Sequence, residues 1–256
     1  MDALSLFGVQ CRYDIHTDFP LVTRRKYAYK SIFAELLWML SGSTNVNDLE
    51  ALGSKIWTSW RSKEFEAKNN YKDGELGPIY GWQFKHFGGN YDNRDNPNEG
   101  FDQVSNIINQ IKSDKSSRRL MINLWNPIDM FSDKVRLPCC HYAINFLVEG
   151  DNLTGILHQR SGDVLPGVSA NIMFYSAFIY MIAQQTGLKP YQLVHNIDNA
   201  HIYTNQIDAA KEYLNRSIVD SPQLILNKKE MNDYKVEDFN IVNYNPLNTI
   251  KVPVMI

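Results

Sequence analysis

Residues 169–186 read as a long apolar helix, with Gly187 just past its end in the position that favours glycine. A helix apolar nearly all round belongs in a protein interior, so this segment dictates that other elements be built around it. Residues 31–40 are a second buried helix, with Ser31 as a plausible N-cap and Ser41-Gly42 at its end. At 256 residues the chain can cover one sizeable core, and one domain over 1–256 is expected. The covering elements are legible in outline. Residues 119–125, 142–149, 152–159 and 193–199 read as strands, with a Gly150-Asp151 turn between the second and third. Val104, Ile107, Ile108 and Ile111 give 101–113 the spacing of an amphipathic helix, and 205–214 reads as another helix. Residues 5–19 alternate loosely as strand, turn and loop, and 221–256 as a short strand-rich tail. Residues 61–100, rich in Asn, Asp, Gly and Lys, form a loop-rich excursion broken by the packable run from Leu76 to Trp82. Strand runs mixed with long helices imply an α+β fold.

Composition excludes some functions. A formal charge of −2 argues against broad sequence-independent nucleic-acid binding, which wants a basic face. The sequence reads as having no long uninterrupted apolar run to span a membrane, so none is expected as a partner. The first eight residues lack the basic and apolar stretches of a signal peptide. Three cysteines, two of them adjacent, do not make a disulfide framework; a cytoplasmic setting is expected.

The chemistry-bearing residues lie close together in sequence. Leu137-Pro138-Cys139-Cys140-His141 is followed by Gln159-Arg160-Ser161-Gly162-Asp163 and then Asn171. The thiolate is the reactive form of cysteine, and nearby positive charge favours it; Arg160 could supply that charge to Cys140. Against this, most cysteines are small core fillers, and Cys139 and Cys140 could be no more than that. Cys139, Cys140 and His141 are contiguous and lack the separated ligand pairs of structural zinc sites, so no metal is expected.

Arg160-Ser161 and Ser117-Arg118-Arg119 suit a phosphate or carboxylate through charge-assisted hydrogen bonds, although a solvated ion pair is the commoner fate of arginine. Asn171 offers the donor and acceptor that can read the O4 and N3–H edge of uracil. Near a helix start it would as readily serve as a cap, and the local pattern favours the cap. His201 and Tyr203, two apart, share a face if extended, to grip a sugar hydroxyl or simply to pack. Trp57 and Trp60 form a helical stripe for which core filling is the default; a platform for a flat heterocycle is the alternative. Glu35 stands inside an otherwise apolar helix, an unusual place for a carboxylate.

With these residues the chain resembles the thymidylate synthase family over nearly its whole length. The resemblance is carried by Phe7-Gly8-x-Gln10-x-Arg12, Phe19-Pro20-Leu21-Val22-Thr23, Glu35-Leu36-Leu37-Trp38, Gly77-Pro78-x-Tyr80-Gly81 and Ser117-Arg118-Arg119. It continues through Trp125-Asn126-Pro127, Pro138-x-Cys140-His141, Gln159-Arg160-Ser161-x-Asp163, Asn171-Ile172, His201-x-Tyr203 and Ile250-Lys251-x-Pro253-Val254-x-Ile256.

The resemblance implies a twisted mixed sheet packed against long helices, with a sheet face forming a homodimer interface. It implies reductive methylation of dUMP to dTMP with 5,10-methylenetetrahydrofolate as co-substrate. Cys140 would add to C6 of the base; C5 would then attack the folate methylene, and hydride transfer would release dTMP and dihydrofolate. Arg160, Ser161 and Gln159 would belong to the nucleotide site, with Arg118 and Arg119 reaching the phosphate from the partner subunit. Asn171 would read uracil rather than cytosine, and His201 and Tyr203 the 3′-hydroxyl. Glu35 and Tyr80 would organise water and proton transfer, with His141 in the polar network behind. Asp163, Trp57, Trp60 and Gly167 would take the folate, and the tail to Ile256 would close over both ligands.

The chain also departs from the family. Only residues 1–4 precede Ser5-Leu6-Phe7-Gly8, where an Arg-Thr-Gly-Thr-Gly phosphate loop is usual, so one phosphate arginine is missing unless Arg24 or another residue replaces it. Pro166, Ser169 and Ala170 replace the usual leucine, proline and phenylalanine. His158, the Asp198-Asn199 pair and Ala28 are also unusual. Such changes near the folate would reshape and enlarge its pocket. A wetter pocket would favour the alternative, a dUMP 5-hydroxymethylase in which water captures the methylene instead of hydride. A third reading, of another class, is a nucleotide- or RNA-binding module without turnover.

Overall fold

The computed structural model describes residues 2–253. Along the chain the strands are β1 (Ala3–Asp14), β2 (Met121–Asn123), β3 (His141–Glu149), β4 (Asn152–Gln159), β5 (Gly162–Asp163), β6 (Lys189–Tyr203), β7 (Gln223–Leu226) and β8 (Phe239–Val242). The helices are α1 (Tyr29–Leu40), α2 (Val46–Ala51), α3 (Lys63–Asn69), α4 (Tyr80–Lys85), α5 (Gln103–Ser113), α6 (Pro127–Met130), α7 (Ser169–Thr186) and α8 (Ile207–Asn215). The main sheet runs β1-β6-β4-β3-β2, with β5 paired to β6. It is mixed: β4 and β5 are parallel to β6, and the remaining pairs are antiparallel. This is the α+β class expected from the sequence.

Helix α7 is the centre of the fold. Val164–Thr186 is long and apolar enough to cross a membrane, which corrects the expectation that no run reaches that length. Most of it is buried inside the protein, where it packs on β6, β4 and α1, as a core helix does. Its approach to β4 is set by Gly155: a Cβ there would lie 2.6 Å from Ile179 Cδ1. Along β4, Leu153, Gly155, Leu157 and Gln159 face this core, and Asn152, Thr154, Ile156 and His158 are more exposed. Strand β1 leaves large apolar side chains in solvent, with Leu4 at 63%, Leu6 at 66% and Phe7 at 73% exposure.

Four local expectations need correction. Helix α1 begins two residues before Ser31, so the cap position falls on Ala28, whose side chain caps nothing. The 61–100 excursion contains α3 and α4; Ser62 Oγ accepts from Phe65 N–H to start α3, and Asn70 in the left-handed region (φ 54°) ends it. The strand foreseen at 119–125 keeps only three residues, Met121–Asn123. Among the described residues the tail holds two short strands, β7 and β8, and a 3₁₀ turn at Val236–Asp238, because Asn, Asp and Pro interrupt its apolar runs.

Candidate active site

Cys140 and Cys139, adjacent in sequence, occupy opposite environments. Cys139 is fully buried, and burial pushes its thiol well above its ordinary value, so it stays protonated and inert. Cys140 keeps accessible surface. Its backbone N–H donates to Tyr80 Oη at 2.7 Å, and Arg160 Nη2 lies 3.7 Å from its Sγ. Arg160 is aimed rather than floating. Its Nε donates to Cys139 O at 2.9 Å, Nη2 donates to Pro138 O at 2.8 Å, and its guanidinium lies over the Trp125 ring at 5.5 Å. The backbone closes the same corner, Arg160 N–H donating to Cys140 O at 2.8 Å.

Tyr80 is set by the turn before it. Gly77 takes φ 81°, and a Cβ on Gly81 would stand 2.0 Å from Ser43 O, so glycine lets α4 press against the 41–44 loop. Burial holds the Tyr80 hydroxyl well above its usual range, hence as a phenol. Its ring stacks on His141 at 4.1 Å between centroids. A β-bulge between His141 and Ala143 turns the imidazole inward, where Nδ1 meets Tyr175 Oη at 2.6 Å. Tyr175, missed in the sequence, stands one helical turn after Asn171 on α7; that i, i+4 pairing was the available signal.

Glu35 accepts a hydrogen bond from Trp57 Nε1 at 2.5 Å, and burial pushes its carboxyl up to about 7 against that bond. Trp57 also packs edge-on against Tyr80 at 6.0 Å, so carboxyl, indole, phenol and thiol form one continuous group. Trp57 and Trp60 do not lie on a regular helix, as their spacing suggested, but bracket a single 3₁₀ turn. Trp57 is buried against Trp38, while Trp60 is partly open and takes Arg136 over its ring at 5.8 Å.

Asn171 is not a cap. A π-type turn over Val164–Val168 runs straight into α7, so Asn171 lies inside the helix. Its Oδ1 accepts from Gln159 Nε2 at 3.1 Å. Gln159 is 2% exposed and its amide is committed to Ser161 O, Asn171 and His195, so it braces Asn171 from behind. Asp163 Oδ2 accepts from Gln206 at 2.8 Å, while its buried Oδ1 has no partner among the described residues. Burial raises this carboxyl above its ordinary value. Gly167 packs by Asp163, a Cβ there falling 3.8 Å from Asp163 Cβ. The turn carrying the unusual Pro166 is clamped: Tyr27 Oη donates to Pro166 O at 2.7 Å, and Arg25 Nη2 to Leu165 O at 2.7 Å.

His201 and Tyr203 share a face of β6, with ring centroids 5.1 Å apart, as their spacing implied. Ser161 is half-buried next to Arg160, and its carbonyl accepts from Gln159. Arg118 and Arg119 are exposed before β2, and neither side chain has a partner among the described residues. Arg24 is committed elsewhere, donating to Leu214 O at 3.1 Å. Ile256 lies outside the described residues. Among the described residues no three His, Cys, Asp or Glu side chains group as metal ligands.

One concavity, about 1200 Å³, lies by the 41–48 loop, α4 and 231–237, and contains none of the predicted site residues. A smaller one, about 380 Å³, is lined by Asn123, Trp125, Tyr142 and Arg160, the arginine that faces the Cys140 thiol. Location, not size, identifies the site.

Two buried histidines give this region a pH signature. His141 is held down to about 3 and His195 to about 4, chiefly by burial. The unfolded chain binds protons at both below about 6.5, so their contribution is present above that pH and lost as pH falls towards 4. Glu35 acts oppositely between about 4.5 and 7, offsetting one of the two protons. Urea unfolding is therefore expected to show roughly 2 kcal/mol less stability at pH 5 than at pH 6.5; a rise over that window would contradict neutral, buried imidazoles.

A half-exposed thiol under an anchored guanidinium, beside a fixed carboxamide, defines a site for nucleophilic attack on an anionic, hydrogen-bonding heterocycle. The sequence matches the thymidylate synthase family over residues 1–256. It is 41% identical to human thymidylate synthase, over 97% of this chain and 81% of the relative. It is 40% identical to the thymidylate synthase of Malacoplasma penetrans (strain HF-2), over 98% and 90%. It is also 40% identical to that of varicella-zoster virus (strain Dumas), over 97% and 84%. The chain belongs to the thymidylate synthase family.

Proposed function

We propose that this protein is a thymidylate synthase, converting dUMP to dTMP with 5,10-methylenetetrahydrofolate. The observation that carries the reading is Cys140 Sγ, accessible and 3.7 Å from the Arg160 guanidinium, beside a buried and inert Cys139. The Sγ adds to C6 of uracil, and the displaced π electrons pass through C5 towards O4. Asn171 Nδ2–H stabilises that oxygen, while Oδ1 accepts from N3–H. Arg160 and Ser161 hold the phosphate, and Arg160 also faces the attacking sulfur. His201 and Tyr203 reach the sugar hydroxyl. Tyr80 and Glu35 handle protons at the base: the phenol stays protonated, and a carboxyl at about 7 can give or take one near neutrality.

The folate site fits its ligand through Asp163, whose unpartnered Oδ1 suits the N–H donors of a pterin ring. Trp60 and Gly167 offer further surface there, with Trp57 bracing Glu35. When bound, the folate supplies the one-carbon unit and the hydride.

The reading includes a homodimer. The exposed Leu4, Leu6 and Phe7 of β1 suit burial against a second copy, and the unpaired Arg118 and Arg119 suit a phosphate across that interface. The free thiols fit a reducing, cytoplasmic compartment.

Mass spectrometry of products from dUMP and methylenetetrahydrofolate, with dihydrofolate absorbance followed alongside, tests the activity. Equal dTMP and dihydrofolate are expected. 5-Hydroxymethyl-dUMP without dihydrofolate would overturn the synthase in favour of the hydroxymethylase.

A further inference from the structure

His195 on β6 was singled out by nothing in the sequence, yet it ends the hydrogen-bond chain that orients Asn171. It is fully buried, and its Nε2 lies 2.9 Å from Gln159 Oε1. Its Nδ1 is buried with no partner among the described residues. The polarity of the chain follows from one fixed group. The Ser161 carbonyl can only accept, so the Gln159 atom 2.8 Å from it is Nε2. The same Nε2 faces Asn171, which must therefore present Oδ1 at 3.1 Å. Gln159 Oε1 then faces His195, which must donate from Nε2.

We infer that His195 is a specificity-determining positioning residue, whose Nε2–H tautomer holds Gln159 and Asn171 in the orientation that accepts uracil and rejects cytosine. The inference rests on the proposed role of Asn171 as the base-reading amide. Cytosine presents a donor at position 4 and an acceptor at N3, so it fits only a flipped Asn171. A flipped Asn171 turns its NH₂ towards Gln159 and forces that amide to flip as well. Gln159 Oε1 would then oppose Ser161 O, and its NH₂ would point at His195 Nε2. His195 could accept only by moving its proton to Nδ1, where there is no acceptor. A buried N–H without a partner is rarer and costlier than an unused imine nitrogen. The lack of an acceptor for Nδ1 among the described residues is thus part of the discrimination. The depressed basicity of this imidazole is consistent with a neutral ring near pH 7.

Two measurements test it. Nitrogen-15 NMR of histidine-labelled protein at pH 7 should show His195 as the neutral Nε2–H tautomer; an Nδ1–H tautomer or an imidazolium would overturn the inference without any variant. Dissociation constants for dUMP and dCMP, measured without folate, should show the preference for dUMP falling about tenfold or more in His195→Leu. His195→Gln, whose amide can still donate to Gln159, should keep it within about threefold. A folded His195→Leu protein with the original ratio would sink the role of His195 alone. Wild-type protein with no preference for dUMP would sink the proposed reading of Asn171 with it. Overall weakening of both nucleotides at an unchanged ratio would mark His195 as merely structural and also overturn the inference.

Discussion

Cys140→Ala is expected to abolish dTMP formation, lowering kcat by at least about 10⁴-fold, because no other group near the base replaces the attacking sulfur. Binding of dUMP should change little, since the arginine and amide contacts remain. Intact mass spectrometry after incubation with 5-fluoro-dUMP and methylenetetrahydrofolate gives the direct readout. The wild type should gain a covalent adduct and the variant none. Cys139→Ala is the informative control. Its thiol is buried and protonated, so the adduct should persist, with a stability loss of roughly 1 kcal/mol for the small cavity left behind. An adduct lost in Cys139→Ala and kept in Cys140→Ala would reverse the assignment of the two sulfurs. A protein that bound dUMP but formed no adduct in any form would be a binding module instead of an enzyme.

That contrast marks what a sequence can and cannot convey. Two adjacent cysteines are chemically alike on paper; only the turn of the backbone entering β3 buries one and exposes the other. The long-range register has the same character. Arg160 reaches Cys140 because β3 and β4 pair through the short Gly150-Asp151 turn, and that pairing was legible. His195 reaches Gln159 because β6 runs parallel to β4, a crossover that no local pattern announces. Helix α7 was legible to the residue, since eighteen apolar-rich positions ending at a glycine leave little choice. Its start misled nevertheless. The π-type turn before it is continuous with the helix, so Asn171 looked like a cap when it stands well inside. Glu35 was conspicuous for the opposite reason. A carboxylate in an apolar run breaks the pattern, and such breaks gather where function overrides stability.

Glu35 also carries the second large effect, and the direction of its pH dependence can be fixed in advance. Glu35→Gln is expected to lower kcat by about 10² to 10⁴-fold if the carboxyl transfers protons at the base, since glutamine can still accept from Trp57 but cannot exchange a proton. Stability should move the other way. The carboxyl is raised from 4.5 to about 7 in the folded protein, chiefly by burial. Between those values the folded state keeps a proton that the unfolded chain has released, so the wild type loses stability as pH rises through that window. Above about 7 the loss is complete and amounts to roughly 3 kcal/mol. Glutamine carries no charge at any pH and escapes it. Urea unfolding of both proteins should therefore show the variant gaining roughly 2 to 3 kcal/mol on the wild type between pH 5 and pH 8.5. Taking the difference between the two proteins cancels the histidine titrations they share. A variant that tracked the wild type at every pH would mean that Glu35 does not titrate near neutrality, and its place in proton transfer would fall with that. A variant that became more stable and less active together would locate the instability of α1 in the same carboxyl that does its chemistry.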